Sequence, residues 1–175
     1  MYKINILDRS FEPIINEDFI QNAIKKIAVQ INESAQNPLF IAVLNGSFIF
    51  ASDLLKEITI PCQIEFIKVK SYAGTQSSGK VQELIGLSQS IEGRQVILLE
   101  DIIDTGLTLD YLLKELRKQN PESIKIGSLM LKPTALKVDI KPDYVGFEVE
   151  NHFLVGYGLD YNGYGRNLKN IYKEV

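Results

Sequence analysis

Glu100, Asp101 and Asp104 crowd three carboxylates into a short stretch that continues as Thr105-Gly106-Leu107-Thr108. That small-residue turn, at the start of a helix, would present backbone N–H groups and two hydroxyls to an anion. Carboxylates beside an anion site repel the anion unless the ligand places something between them. A sugar does so, because carboxylates accept hydrogen bonds from its hydroxyls, and a metal ion can bridge an acid and a phosphate. The ligand suggested is a sugar phosphate accompanied by Mg²⁺. The alternative is a surface loop after a core strand, its acids solvated. It explains two neighbouring acids equally well, and the whole pattern poorly.

These groups need elements to hold them. Val96-Ile97-Leu98-Leu99 is a short, continuous run of branched apolar residues, the pattern of a strand buried on both faces. The acids follow where that strand is expected to leave the core. Leu109, Leu112, Leu113 and Leu116 then carry the spacing of an amphipathic helix. Strand, acidic loop, helix is the order, and ligands of open α/β sheets bind outside the carboxyl ends of the strands. Pro38 to Leu44 repeats the arrangement: an apolar strand, then Asn45-Gly46-Ser47, then a helix through Phe50, Leu54 and Leu55. Asn16-Glu17-Asp18 is a helix start with a capping side chain and first-turn acids, followed by one apolar face at Ile20, Ala23, Ile24, Ile27, Ala28 and Ile31. Cys62 to Lys70 alternates as a strand with one wetter face. Ser71 to Gly79 has almost no apolar side chain, the composition of a mobile loop or a long hairpin loop. Val81 to Leu87 returns as a strand, and Glu92-Gly93 turns into the central one. The helix after the acidic loop is expected to end near Asn120-Pro121. Ser123 to Leu131 forms the next strand and leaves through Lys132-Pro133-Thr134. Lys132 therefore falls at the same carboxyl edge as Glu100 and Asp101. Tyr144 to Phe147 reads as a short core strand.

Composition narrows the class. A chain of 175 residues, 45% hydrophobic and 23% charged, fits one domain with a sizeable core. A net charge of −3 argues against a general nucleic-acid binder, which would carry a basic surface. The single cysteine, Cys62, allows no internal disulfide, and with one histidine, His152, a structural zinc site is not expected. A reducing, cytoplasmic setting fits. Met1 to Phe11 alternates polar and apolar residues and is no signal peptide. The longest uncharged stretch, Asn37 to Ser52, is shorter than the ~20 residues a membrane helix needs. No internal repeat or linker divides the chain. The dinucleotide fingerprint and the Walker-type phosphate loop are both absent from the sequence.

Glu100-Asp101-Ile102-Ile103-Asp104-Thr105-Gly106-Leu107-Thr108 resembles the signature with which type I phosphoribosyltransferases bind 5-phosphoribosyl-1-pyrophosphate (PRPP), in the hypoxanthine-guanine variant of that family. The run from Lys141 to Leu168 resembles the same family, and the likeness extends from about Phe40 to Leu168. The resemblance implies an α/β fold with a mainly parallel sheet flanked by helices. A small hood from about 149–175 and the N-terminal residues would cover the active site of a single domain, 1–175. It implies a purine-salvage enzyme of the cytoplasm that converts MgPRPP and hypoxanthine or guanine to the nucleotide and pyrophosphate.

Residue by residue, Asp104 would be the general base. Thr105, Gly106, Leu107 and Thr108 would hold the 5′-phosphate, and Glu100 and Asp101 the ribose hydroxyls. Leu44, Asn45, Gly46 and Ser47 would form a pyrophosphate loop, joined by Arg166, with the Leu44–Asn45 peptide cis. Lys132 would read the purine oxygen at C6, Phe153 would stack on the base and Leu154 would read its edge. Asp160 would border the purine and, with Glu100 and Asp101, serve Mg²⁺. Ser71 and Tyr72 would belong to a lid at about 71–80. Asn45 and Leu107 stand where relatives often carry lysine. His152 matches no catalytic role. The partners implied are small molecules and a second or further copy of the chain, as homodimer or homotetramer, with neither nucleic acid nor membrane. Xanthine-preferring transfer and a PRPP-sensing nucleic-acid-binding regulator are the alternatives within the fold.

Overall fold

A computed structural model of the chain describes residues 2–70 and 82–175. The chain opens with β1 (Ile4–Ile6) and β2 (Arg9–Ile15), an antiparallel hairpin in which Ile4 faces Phe11 and Ile6 faces Arg9. Helix α1 (Glu17–Ser34) begins as its sequence dictates: the Asn16 side chain accepts from the Phe19 N–H at 2.8 Å, ahead of Glu17 and Asp18. All six residues of its expected apolar face are buried. The elements that follow are β3 (Leu39–Leu44), α2 (Phe48–Glu57), β4 (Gln63–Lys70), β5 (Gln82–Ile85), β6 (Gln95–Ile103), α3 (Leu107–Arg117), β7 (Ser123–Leu131), β8 (Tyr144–Glu148), β9 (Leu154–Val155) and β10 (Ile171–Glu174).

The main sheet has the order β5-β4-β3-β6-β7-β8. Only the β4–β5 pair is antiparallel; the other ladders are parallel. Alternation along the central strands sends side chains to both faces. Leu39, Ile41, Val43, Val96 and Leu98 pack with the leucines of α3, whereas Phe40, Ala42, Ile97 and Leu99 pack with α1 and α2. A strand covered by helices on both sides has no wet face, which is why β3 and β6 read as continuous apolar runs. Each fully buried Leu or Ile side chain contributes about 1.5–3 kcal/mol relative to exposure. The expected parallel sheet flanked by helices is therefore present.

Three boundaries differ from the sequence expectation. β6 does not end at Leu99: its ladder with β7 continues through Glu100↔Ser128, Ile102↔Met130 and Ile103↔Leu131, so Glu100 and Asp101 are strand residues rather than loop residues. Pairing of β6 with β3 does stop at Ala42↔Leu99. The acids thus keep one hydrogen-bonded neighbour and face the opening above β3. Helix α3 ends at Arg117, and tighter bonds, Gln119 N to Leu116 O and Asn120 N to Arg117 O, carry the chain to Asn120. β5 ends at Ile85, short of Leu87.

The two ends of the chain build a second, antiparallel sheet of order β1-β2-β10-β9. Phe11, Val155 and Tyr172 are its buried centre. This is the small hood of the expected fold. Among the described residues, no helix is long and apolar enough to cross a membrane.

Candidate functional site

The carboxyl ends of β3, β6 and β7 meet the segment after β8 around a cleft of about 410 Å³. Leu44, Gly46, Glu100, Asp101, Asp104, Thr105, Gly106 and Thr108 line it from the sheet side. Lys132, directly after β7, joins them, and Phe153, Leu154, Asp160 and Arg166 close it from the other side. Asn45 and Leu107 lie in the same two turns but do not line the cleft, and Leu107 is exposed. Ser71 and Tyr72, with the rest of the expected lid, lie outside the described residues.

The turn after β6 is positioned by what lies beneath it. Gly106 is the N-cap of α3 at φ 77°, a left-handed conformation that costs glycine little. A Cβ there would lie 2.7 Å from Val138, on the segment that returns after β7. Lys137 N–H donates to the Thr105 carbonyl at 3.0 Å and fixes that return. The helix's own bonding starts at Asp110 N to Gly106 O, 2.9 Å. The amides before Asp110 in the first turn therefore have no partner within the helix and face outward, an anion cradle.

The turn after β3 is packed harder. Its Leu44–Asn45 peptide is cis. Ser47 donates through Oγ to the Val43 carbonyl at 2.6 Å, and α2 follows. Gly46 lies against Asp101 so closely that a Cβ would collide with the carboxylate. Asp101 is 7% exposed and accepts from the Ile102 N–H at 3.0 Å. Burial pushes its carboxyl up to about 6; backbone donors and the Arg166 charge pull the other way, and Asp160 adds to the rise. Glu100 is raised well above the usual range, first by burial and then by the Asp101 charge.

Elsewhere in the cleft the charges are paired. Lys132 is only 6% exposed and donates to Asp104 Oδ2 at 3.0 Å. Arg166 pairs with Asp160 Oδ1 through Nη2 at 2.6 Å and donates through Nη1 to the Gly158 carbonyl at 2.6 Å. Asp160 Oδ2 accepts from the Gly163 N–H at 2.6 Å. Phe153 keeps a 43% exposed ring beside Leu154. His152 pairs with Glu150 at 2.8 Å away from this cleft.

An anion cradle, dehydrated acids, a buried lysine and an open aromatic ring in one cleft can hold a phosphorylated sugar beside a flat, carbonyl-bearing base. The phosphoribosyl transferase domain family matches residues 16–162. The chain belongs to the phosphoribosyltransferase family. It is similar to the hypoxanthine-guanine phosphoribosyltransferase of Bacillus subtilis (strain 168), with 45% identity over 90% of this chain and 89% of that one. Among solved structures it resembles a hypoxanthine-guanine phosphoribosyltransferase of Bacillus anthracis with a HEPES molecule in the active site. That likeness has a TM-score of 0.89 and 40% identity over 94% and 98% of the two chains. It also resembles a hypoxanthine phosphoribosyltransferase of Trypanosoma cruzi in a ternary substrates complex, with a TM-score of 0.87 and 36% identity over 93% and 94%.

In this phosphoribosyltransferase two groups of residues stand close to the site that the sequence reading did not single out. Arg9 lays its guanidinium 4.5 Å from the Tyr161 ring and 5.6 Å from the Phe153 ring, while Tyr161 meets Phe153 edge-on at 5.9 Å. Tyr157 and Asp53 join the segment after β9 to α2 through a 2.6 Å hydrogen bond. Neither has a local signal, because the partners lie 104 or more positions apart in sequence. The proposed metal ligands fit a hard cation. Glu100, Asp101 and Asp160 offer only oxygen donors, and two of them are held in dehydrated surroundings that an added cation would relieve. Among the described residues no group of three or more His, Cys, Asp or Glu is close enough to form a complete protein cage. An all-oxygen carboxylate set is the donor chemistry of Mg²⁺, which commonly takes one or two carboxylates and fills its shell with substrate oxygens and water.

Proposed function

We propose that this protein transfers the 5-phosphoribosyl group of MgPRPP to N9 of hypoxanthine, and of guanine, releasing the purine 5′-monophosphate and pyrophosphate in purine salvage. The Asp104–Lys132 pair, at the rim of the anion cradle and across the cleft from Phe153, is the observation that carries this reading. The base slides onto Phe153. Lys132 turns its ammonium from Asp104 to the oxygen at C6, where it accepts nothing and so favours a carbonyl over the amino group of adenine. Asp104, freed, faces N7 and takes its proton as the N9 lone pair forms the bond to C1′ and the C1′–oxygen bond to pyrophosphate breaks. The turn from Thr105 to Thr108 holds the 5′-phosphate, and Glu100 and Asp101 accept from the ribose hydroxyls. Their charge also suits a ribosyl group that becomes cationic in the transition state. Arg166 presents its fork to the departing pyrophosphate, beside the Gly46 turn. Bound Mg²⁺, held through Asp101, Glu100 or Asp160 and the substrate's own oxygens, would neutralise pyrophosphate charge.

Exposed Phe48 and Phe66, next to the Gly46 turn and on the neighbouring strand, support a homodimer or homotetramer. The unpaired thiol of Cys62 suits a cytoplasmic setting. Steady-state transfer from MgPRPP to hypoxanthine, guanine, xanthine and adenine, measured in parallel, tests the reading. Turnover with hypoxanthine or guanine and little with adenine is expected. A preference for xanthine would keep the mechanism and change the substrate. PRPP binding without turnover on any base would refute the enzyme reading.

A further inference from the structure

Tyr157 lies midway between Leu154, placed at the base, and Asp160, placed at pyrophosphate. Its ring is 3% exposed and its hydroxyl donates to Asp53 Oδ2 at 2.6 Å. Asp53 belongs to α2, the helix that grows out of the Gly46 turn. The same carboxylate accepts from Gln21 Nε2 at 3.0 Å and from Lys56 Nζ at 2.7 Å. Burial works against its charge, yet the combined donation of Lys56, Tyr157 and Gln21 holds the carboxyl below the usual range. The Tyr157 hydroxyl is raised, by burial and by Asp53, so the proton stays on the phenol and the bond is charge-assisted.

The backbone around Tyr157 needs such an anchor. Tyr157 sits at φ 49°, sparsely populated for an aromatic residue, and its N–H is held by the Leu168 carbonyl at 2.8 Å. Gly158 follows at φ 99°, and a Cβ there would collide with the carbonyl oxygen of Gly46. The two walls of the cleft therefore touch backbone to backbone at Gly46 and Gly158. The Tyr157–Asp53 bond is the side-chain tie that spans the same junction from beneath.

We infer that Tyr157 and Asp53 are positioning residues that lock the Gly46 turn to the Leu154–Asp160 segment, so that both walls grip PRPP as one preformed surface. Neither touches substrate. The inference rests on the functional reading above, because it supposes that PRPP spans these walls. A helix is stiff, so a tie at Asp53 fixes the turn at the helix start. Releasing the tie lets the walls separate, and PRPP binding must then restore their contact at the expense of affinity.

Tyr157→Phe, Asp53→Asn, Asp53→Ala and the Tyr157→Phe/Asp53→Asn pair test it, with kinetics, calorimetric titration by MgPRPP and thermal melts on each. Loss of a hydrogen bond to a charged group corresponds to about a tenfold change in an equilibrium constant. Tyr157→Phe is expected to raise both KM and Kd for PRPP by that factor, with kcat and the KM for hypoxanthine within about twofold. Asp53→Asn keeps an acceptor for the phenol and is expected to lose less than Asp53→Ala. The pair is expected to lose no more than Tyr157→Phe alone, as members of one interaction do. A lower melting temperature with PRPP binding unchanged, or fully additive losses, overturns the inference and leaves a merely structural bond. A wild type that binds PRPP but transfers nothing overturns the functional reading while the titrations still judge the tie. A wild type that does not bind PRPP overturns both.

Discussion

Asp104→Asn separates chemistry from scaffolding in this site. The side chain of Asp104 is 49% exposed, whereas that of Lys132 is 7% exposed, so the pair is buried on one side only. Removing one member of a fully buried pair costs about 3–5 kcal/mol, but exposed pairs are worth about 0–1 kcal/mol. With half of Asp104 in water, and with an asparagine oxygen left to accept from Lys132, the structural loss should be about 1 kcal/mol. For a chain of this size that is a fall of about 2–4 °C in melting temperature. The chemical loss should be far larger. Asparagine accepts hydrogen bonds but takes up no proton, and loss of a general base costs about 10²–10⁴-fold in rate. The KM for PRPP should hardly move, because the phosphate cradle is backbone. The assay is single-turnover and steady-state transfer to hypoxanthine, with melting curves beside it. Retention of kcat within about threefold in a folded variant would refute Asp104 as the base. An equal loss in PRPP affinity and rate would make it a binding residue instead.

Lys132→Gln removes the cation proposed to exclude an amino group at C6; the KM for hypoxanthine should rise about 10-fold or more, and discrimination against adenine should shrink, measured by competition between the two bases. Arg9→Ala takes the cation from behind the base platform. A partly exposed cation–π contact is worth about 0.5–1 kcal/mol, so the KM for hypoxanthine should rise about two- to fivefold with the KM for PRPP unchanged. Asp101 has its carboxyl raised to about 6 in the folded state, so that state binds more protons than the unfolded chain between the ordinary carboxylate range and about 6. Its contribution to stability is therefore full at the acid end of that window and falls as pH rises through about 6. The melting temperature difference between Asp101→Asn and wild type should widen in favour of the variant over that window, and a constant difference would refute the shift.

The sequence shows α1 and α3 clearly, because each buries one face whose period survives in the chain, and β3 and β6 because burial on both faces leaves a continuous apolar run. The paired turns at Gly46 and Gly106 were legible for the same reason: each interrupts an apolar run with small residues. The hood was not read as strands. β1 and β9 are three and two residues long, too short for a period to form. β10, the partner of β9, joins β2 through Glu174↔Phe11, a pairing of the chain's two ends that no local window contains. The same distance hid Arg9 behind Phe153 and Asp53 beneath Tyr157. Charge usually marks the end of a buried strand, so the sequence alone puts Glu100 and Asp101 in a loop. Here the ladder with β7 carries them onward while the ladder with β3 has already stopped, and two acids can remain in a strand because one flank is open to the cleft.

The charges of the site explain why it can wait for substrate without collapsing. Asp104 is held by Lys132 and Asp160 by Arg166, so the groups assigned to the base and to pyrophosphate are neutralised pairwise inside the protein. Among the described residues Glu100 and Asp101 have no basic partner so close, and burial raises both, joined by the Asp101 charge at Glu100 and by the Asp160 charge at Asp101. Binding would then be an exchange of partners. In the proposed reaction a purine oxygen would take Lys132 from Asp104, pyrophosphate would take Arg166 from Asp160, and the ribose and a cation would meet the two acids. The first two exchanges replace existing ion pairs, so their net gain is smaller than the new contacts alone suggest. Much of the affinity must therefore come from contacts that break nothing: the free amides of the α3 cradle and a backbone turn at Gly46 already held in place. On the proposed assignments, the rigidity of the two walls, rather than the count of charges in the cleft, is the property on which PRPP binding would depend most.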